Sequence, residues 1–127
     1  MLYSMMTFNE YQAAARTTAK YTDVAEQLNI GDSGLKRFLN LQYAALGLAG
    51  EAGEIANKVK KIYRDKSCTV TDEARQELKK EVSDCLWYCA AVASELDYAL
   101  DDIATENIAK LQSRLERGVI TGSGDNR

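Results

Sequence analysis

Leu48-Ala49-Gly50-Glu51-Ala52-Gly53-Glu54-Ile55-Ala56-Asn57-Lys58-Val59-Lys60-Lys61-Ile62 is the stretch on which the fold turns. Leu48, Ala52, Ile55, Val59 and Ile62 recur at spacings of three and four, which puts them on one side of an α-helix. With Leu41 upstream they form a single apolar stripe, and the spacing predicts a long helix over about Lys36–Arg64. The chain has no proline, so nothing breaks that helix from within. Glu51 and Glu54 each directly precede a stripe residue, so both border the stripe instead of lying opposite it.

The same period governs the rest of the chain. Thr7-Phe8-Asn9-Glu10 reads as a capping box that starts a helix running to about Tyr21. Gly31-Asp32-Ser33-Gly34 signals a turn. A third helix is expected over about Glu73–Leu96, with Leu78, Val82, Cys85, Cys89, Ala93 and Leu96 on its stripe. The chain turns near Asp97-Tyr98, and a fourth helix over about Leu100–Arg117 carries Leu100, Ile103, Ile108, Leu111 and Leu115. Gly118 ends it, and residues 118–127, rich in glycine and polar residues, read as a flexible tail. No stretch alternates long enough for a strand. The expectation is an all-α domain over 1–117, an antiparallel four-helix bundle.

Composition narrows the functional classes. The absence of histidine removes Ser-His-Asp and Cys-His nucleophilic sites and most zinc chemistry. A net charge of −3 argues against a nucleic-acid binder. No apolar run approaches the roughly 20 residues needed to span a bilayer. The opening Met1-Leu2-Tyr3-Ser4-Met5-Met6 has neither a basic start nor a long apolar segment, so no export signal is read there. Cys68, Cys85 and Cys89 lack zinc-finger spacing, and reduced thiols fit a cytoplasmic protein.

The chemistry resides in two acidic pairs, Glu51/Glu54 and Glu81/Asp84, each spaced i, i+3 and so about 5–6 Å apart at Cβ on one helical face. If the two stripes face each other, all four carboxylates line one groove and repel unless cations neutralise them. An all-oxygen ligand set suits Mg²⁺, with Mn²⁺ also admitted, and not zinc. A solvated acidic face is the competing reading, and spacing alone leaves both open. Gly47, Gly50 and Gly53 each cost the helix about 1 kcal/mol against alanine, which calls for close approach of a backbone or ligand, or else a helix crossing. Asn107, Lys110 and Arg114 share one face of the fourth helix, while Lys58 and Lys61 follow Glu54. Carboxylates on two walls with amide and ammonium groups on a third suit a polyphosphate.

Taken together, Gly50-Glu51-Ala52-Gly53-Glu54-Ile55, Lys80-Glu81-Val82-Ser83-Asp84 and Asn107-Ile108-Ala109-Lys110-Leu111 resemble the MazG-like family of all-α nucleotide pyrophosphohydrolases, over about residues 40–115. The resemblance is to the single-domain type. It implies a homodimer or dimer of dimers, and Mg²⁺-dependent cleavage of a nucleoside triphosphate between the α and β phosphates to give the monophosphate and pyrophosphate. Glu51, Glu54, Glu81 and Asp84 match the metal ligands, with Glu51 or Glu54 as general base. Tyr88 matches a position near the sugar or base, and Asn107 and Lys110 match phosphate-side contacts. The first helix, with Tyr11 and Gln12, borders the base side with no role assigned. Trp87 suits stacking on a base, a core position or an interface. The resemblance suggests clearing of damaged or non-standard nucleotides, and adjustment of nucleotide pools is equally compatible. A dUTP/dUDP hydrolase, a phosphoribosyl-ATP pyrophosphatase and a non-catalytic helical dimerisation module are the alternatives.

Overall fold

The computed structural model describes residues 5–127; Met1–Ser4, part of the segment read for an export signal, lie outside them. All regular structure among the described residues is helical: α1 (Phe8–Arg16), a 3₁₀ turn (Lys20–Asp23), α2 (Val24–Gln27), α3 (Ser33–Asp65), α4 (Asp72–Glu95) and α5 (Leu100–Glu116). None is long and apolar enough to cross a membrane.

Local chemistry sets the helix ends. The Thr7 hydroxyl accepts from the Glu10 amide at 3.1 Å, and the Thr7 amide donates to Glu10 Oε2 at 2.6 Å, completing the capping box. The first helix stops at Arg16, five residues before the expected Tyr21. Thr17 and Thr18 turn their hydroxyls back onto the carbonyls of Ala14 and Ala15, at 2.7 and 2.8 Å, and this local bonding competes with helix continuation. The long helix α3 starts three residues earlier than the expected Lys36, because Asp32 within the turn signal accepts from the Leu35 amide and caps it. Thr71 caps α4 in the same way.

The spine is the α3/α4 hairpin. Successive neighbours run in opposite order along its two arms: Ala44 packs with Ala91, Gly47 lies under Tyr88, Glu51 adjoins Asp84 and Lys58 adjoins Glu77 and Glu81. The arms are therefore antiparallel. Ala44, Ala90 and Ala93 are almost fully buried, and their small side chains let the helices approach closely. Helix α1 packs across α4, and α5 lies against α1. Gln12 ties these elements together, donating to the Tyr98 carbonyl at 2.9 Å and accepting from the Leu100 amide at 2.9 Å.

A buried carboxylate fixes the start of the chain to α4. Glu95 accepts from Tyr21 at 2.6 Å and from Arg16 at 2.6 Å, and Arg16 also donates to Tyr21 at 3.2 Å. Residues 118–127 carry their own hydrogen bonds. Buried Arg114 donates to the Asp125 carbonyl at 2.6 Å, and Arg127 donates to the Val119 carbonyl at 3.2 Å.

The expected apolar stripes are only partly covered within the chain. Val82 on α4 and Leu96 at its C-terminal cap remain exposed, as do Val59 on α3 and Ile108 and Leu115 on α5. The accessible surface is 9488 Å², against about 6,700 Å² for a compact monomer of this mass.

Candidate metal centre

The long arms of the hairpin carry Glu51 on α3 and Glu81 and Asp84 on α4. One oxygen from each of the three lies within 4.8 Å of the others. Glu51 and Glu81 are half-buried and Asp84 is exposed, so the group sits at the mouth of the inter-helix groove. Burial first, and then the negative charge of Asp84, Glu81 and Glu54, hold the Glu51 carboxyl above the ordinary glutamate range. A hydrogen bond with Glu81 adds to the effect. Three carboxylate oxygens at this separation, without nitrogen or sulfur, are donors of the kind a hard divalent cation takes.

Glu54 stands apart from this group. It is exposed on α3, one turn beyond Glu51, and is not among the three oxygens that converge. Lys58 is half-buried and reaches Glu81 Oε1 at 3.4 Å and Glu77 Oε2 at 3.8 Å. Lys61 is exposed and, with Lys58, lines a cleft of about 470 Å³ toward the hairpin turn, beside Lys66, Thr69 and Thr71. Asn107 and Lys110 are exposed on α5, which rests on α1. Among the described residues neither makes a hydrogen bond or ion pair to the acidic group.

On the other side of the carboxylates lies an aromatic wall. Trp87 and Tyr88 meet edge-on with ring centres 5.0 Å apart, Tyr43 and Tyr88 are tilted at 6.5 Å, and Tyr21 stacks on Tyr43 at 4.9 Å. Thr18, Glu51, Asp84, Trp87 and Tyr88 enclose an open cleft of about 360 Å³. The Trp87 indole donates to the Thr18 hydroxyl at 2.9 Å. Burial raises the Tyr88 hydroxyl above its ordinary value, as do Tyr43 and the nearby Glu51 and Asp84 charges. Burial likewise raises Tyr11, with Asp84 and Cys89 as further causes; its ring packs against Ala90, Ala93 and Leu100.

Of Gly47, Gly50 and Gly53, one has a contact within the chain that explains it. A Cβ on Gly47 would lie 2.1 Å from the Tyr88 ring, so the missing side chain is what lets that ring lie on α3. Gly50 and Gly53 have nothing within 4 Å. The close approach expected at all three is therefore met within the chain at Gly47 alone.

Sequence reading did not bring Thr18, Tyr21 or Tyr43 to this site. Their neighbours on α4 lie 45 to 74 residues away in the chain, and helical periodicity carries no information over that range. The Thr17-Thr18 pair was the one local signal, marking a helix end beside the cleft.

Residues 40–119 match the profile of the MazG nucleotide pyrophosphohydrolase domain. The chain is also 49% identical over 117 residues to the Gene 37 protein of Mycobacterium phage L5, a match that spans 92% of this chain and 96% of that protein. No solved structure matches the chain.

Proposed function

The chain belongs to the MazG nucleotide pyrophosphohydrolase family, and on that premise we propose that it hydrolyses nucleoside triphosphates to the monophosphate and pyrophosphate, with Mg²⁺ as cofactor. The observation that carries this reading is the convergence of Glu51, Glu81 and Asp84 between an aromatic cleft and one lined by both lysines and carboxylates.

Glu51, Glu81 and Asp84 hold the metal, which when bound neutralises phosphate charge and activates water. Glu54, left out of the trio and one turn away, takes the proton from the attacking water. Tyr88 and Trp87 line the nucleoside end of the groove. Lys58 and Lys61 face the phosphate end, and Asn107 and Lys110 keep the phosphate-side role that the family motif gives them.

The same reading makes the active species a homodimer or dimer of dimers. Accessible surface exceeds that of a compact monomer by about 2,700 Å², more than the roughly 800 Å² per partner that a standard interface buries. Sedimentation at micromolar concentration tests this, and a stable monomer would refute it.

Pyrophosphate release from a panel of canonical and modified NTPs and dNTPs, with Mg²⁺ and with EDTA, tests the reaction. The expected result is metal-dependent release with the monophosphate as co-product, abolished in Glu54→Gln while the helical circular dichroism is retained. Full turnover in that variant removes the base assignment. No release from any nucleotide by folded protein removes the enzymatic reading.

A further inference from the structure

Glu81 is the member of the trio that already has a counter-charge. Its side chain is 18% exposed, and its Oε1 lies 3.4 Å from Lys58 Nζ. Among the described residues this is the one ion pair to any of the three carboxylates. Lys58 follows Glu51 by seven residues, two helical turns, and so occupies the same face of α3. Its ammonium also reaches Glu77 Oε2 at 3.8 Å, and it borders the cleft lined by Lys61, Lys66, Thr69 and Thr71 together with the carboxylates of Asp65, Glu73 and Glu77. One cation thus stands on the boundary between the acidic group and the larger cleft.

Both contacts are long beside the roughly 2.7–2.9 Å of a tight charge-assisted hydrogen bond. A compact ammonium on a four-carbon stem can swing about such loose contacts, which a planar guanidinium fork does less readily. A divalent cation seated on Glu81 would repel this ammonium at close range in a site half-shielded from water. The two cannot share the same oxygen.

We propose that Lys58 is a displaceable counter-ion: it neutralises Glu81 in the metal-free protein, and metal loading drives its ammonium into the adjoining cleft, where it binds the anionic end of the substrate. The proposal rests on the reading of Glu51, Glu81 and Asp84 as a metal centre. It makes the two ligands mutually reinforcing. Metal frees the cation that grips phosphate, and phosphate holds that cation away from the metal site.

The test is Mn²⁺ binding by calorimetry to the full chain without nucleotide, for the native protein, Lys58→Met and Lys58→Arg. Lys58→Met should bind Mn²⁺ about three- to tenfold more tightly, since a competing charge is gone, while Lys58→Arg, which keeps the charge and swings less readily, should bind it no more tightly than native. A second measurement uses the non-hydrolysable α,β-methylene analogue of the best-hydrolysed nucleotide at saturating Mg²⁺. Lys58→Met should bind it about tenfold more weakly. Unchanged or weaker Mn²⁺ binding in Lys58→Met overturns the counter-ion role, and unchanged analogue binding overturns the hand-over. Native protein that binds no Mn²⁺, or binds it as well in Glu51→Gln, removes the metal centre itself and the proposal with it.

Discussion

Glu95 and Glu51 are the same amino acid in opposite circumstances. Glu95 is buried, yet two donors at 2.6 Å, Tyr21 and Arg16, surround its Oε1. Glu51 is less buried but faces Asp84, Glu81 and Glu54, all of its own sign. One carboxylate is satisfied by the chain that carries it and the other is not. A folded protein keeps an unsatisfied charge cluster where something outside the chain completes it. On the proposed function, the first glutamate belongs to the architecture and the second to the chemistry.

Exchanging charge for neutrality at each position tests the distinction. Glu51→Gln should lower turnover at least about 100-fold while leaving the metal-free fold as stable as before or more so. A calorimetric melt beside a rate assay reads both, and a destabilised variant with normal turnover would reverse the assignment. Glu95→Ala should do the opposite. It removes the acceptor of the buried Tyr21 O–H and the ion-pair partner of Arg16, and because Arg16 is partly solvated and still bonds Tyr21 the cost is about 2–3 kcal/mol in urea unfolding.

The glycines give a smaller contrast of the same kind. Gly47→Ala drives a methyl into the Tyr88 ring and should cost about 1–2 kcal/mol, with loss of the aromatic wall. Gly50→Ala meets nothing and should gain up to about 1 kcal/mol of helix propensity in the free chain. A stabilised Gly50→Ala that has lost assembly or turnover would mark that face as one covered by a second copy or by substrate.

The smallest effect is on pH dependence. The Glu51 carboxyl binds its proton more tightly in the folded chain than in the unfolded one. Folding therefore takes up a proton between its raised value and the ordinary glutamate range, so its repulsive contribution is lost on acidification through that window. The metal-free protein should melt higher as pH falls there, and Mg²⁺ should raise the melting temperature less. Both trends should flatten in Glu51→Gln.

These contrasts also mark what sequence can reveal. The helices were legible because their stripes repeat every three or four residues, and the carboxylates because i, i+3 spacing is local geometry. Glu54 is different. Its spacing is the same as that of the other pair, but whether it joins the trio depends on how α3 is rotated against α4, which no local pattern encodes. The end of the first helix was written in Thr17-Thr18, whose hydroxyls compete for the backbone. Tyr21, Tyr43 and Thr18 reach the site only through tertiary packing. The uncovered apolar residues were legible as stripes, though not as surface, because a stripe does not state which copy of the chain covers it.

Trp87 is the chain's single tryptophan. Its indole hydrogen bond to Thr18 and its edge contact with Tyr88 set it in the wall of the cleft beside the carboxylates. Intrinsic fluorescence of the unmodified protein therefore comes from one chromophore at one address. Its emission wavelength and quenching make the cleft its own optical gauge, with no label to attach and no background indole to subtract.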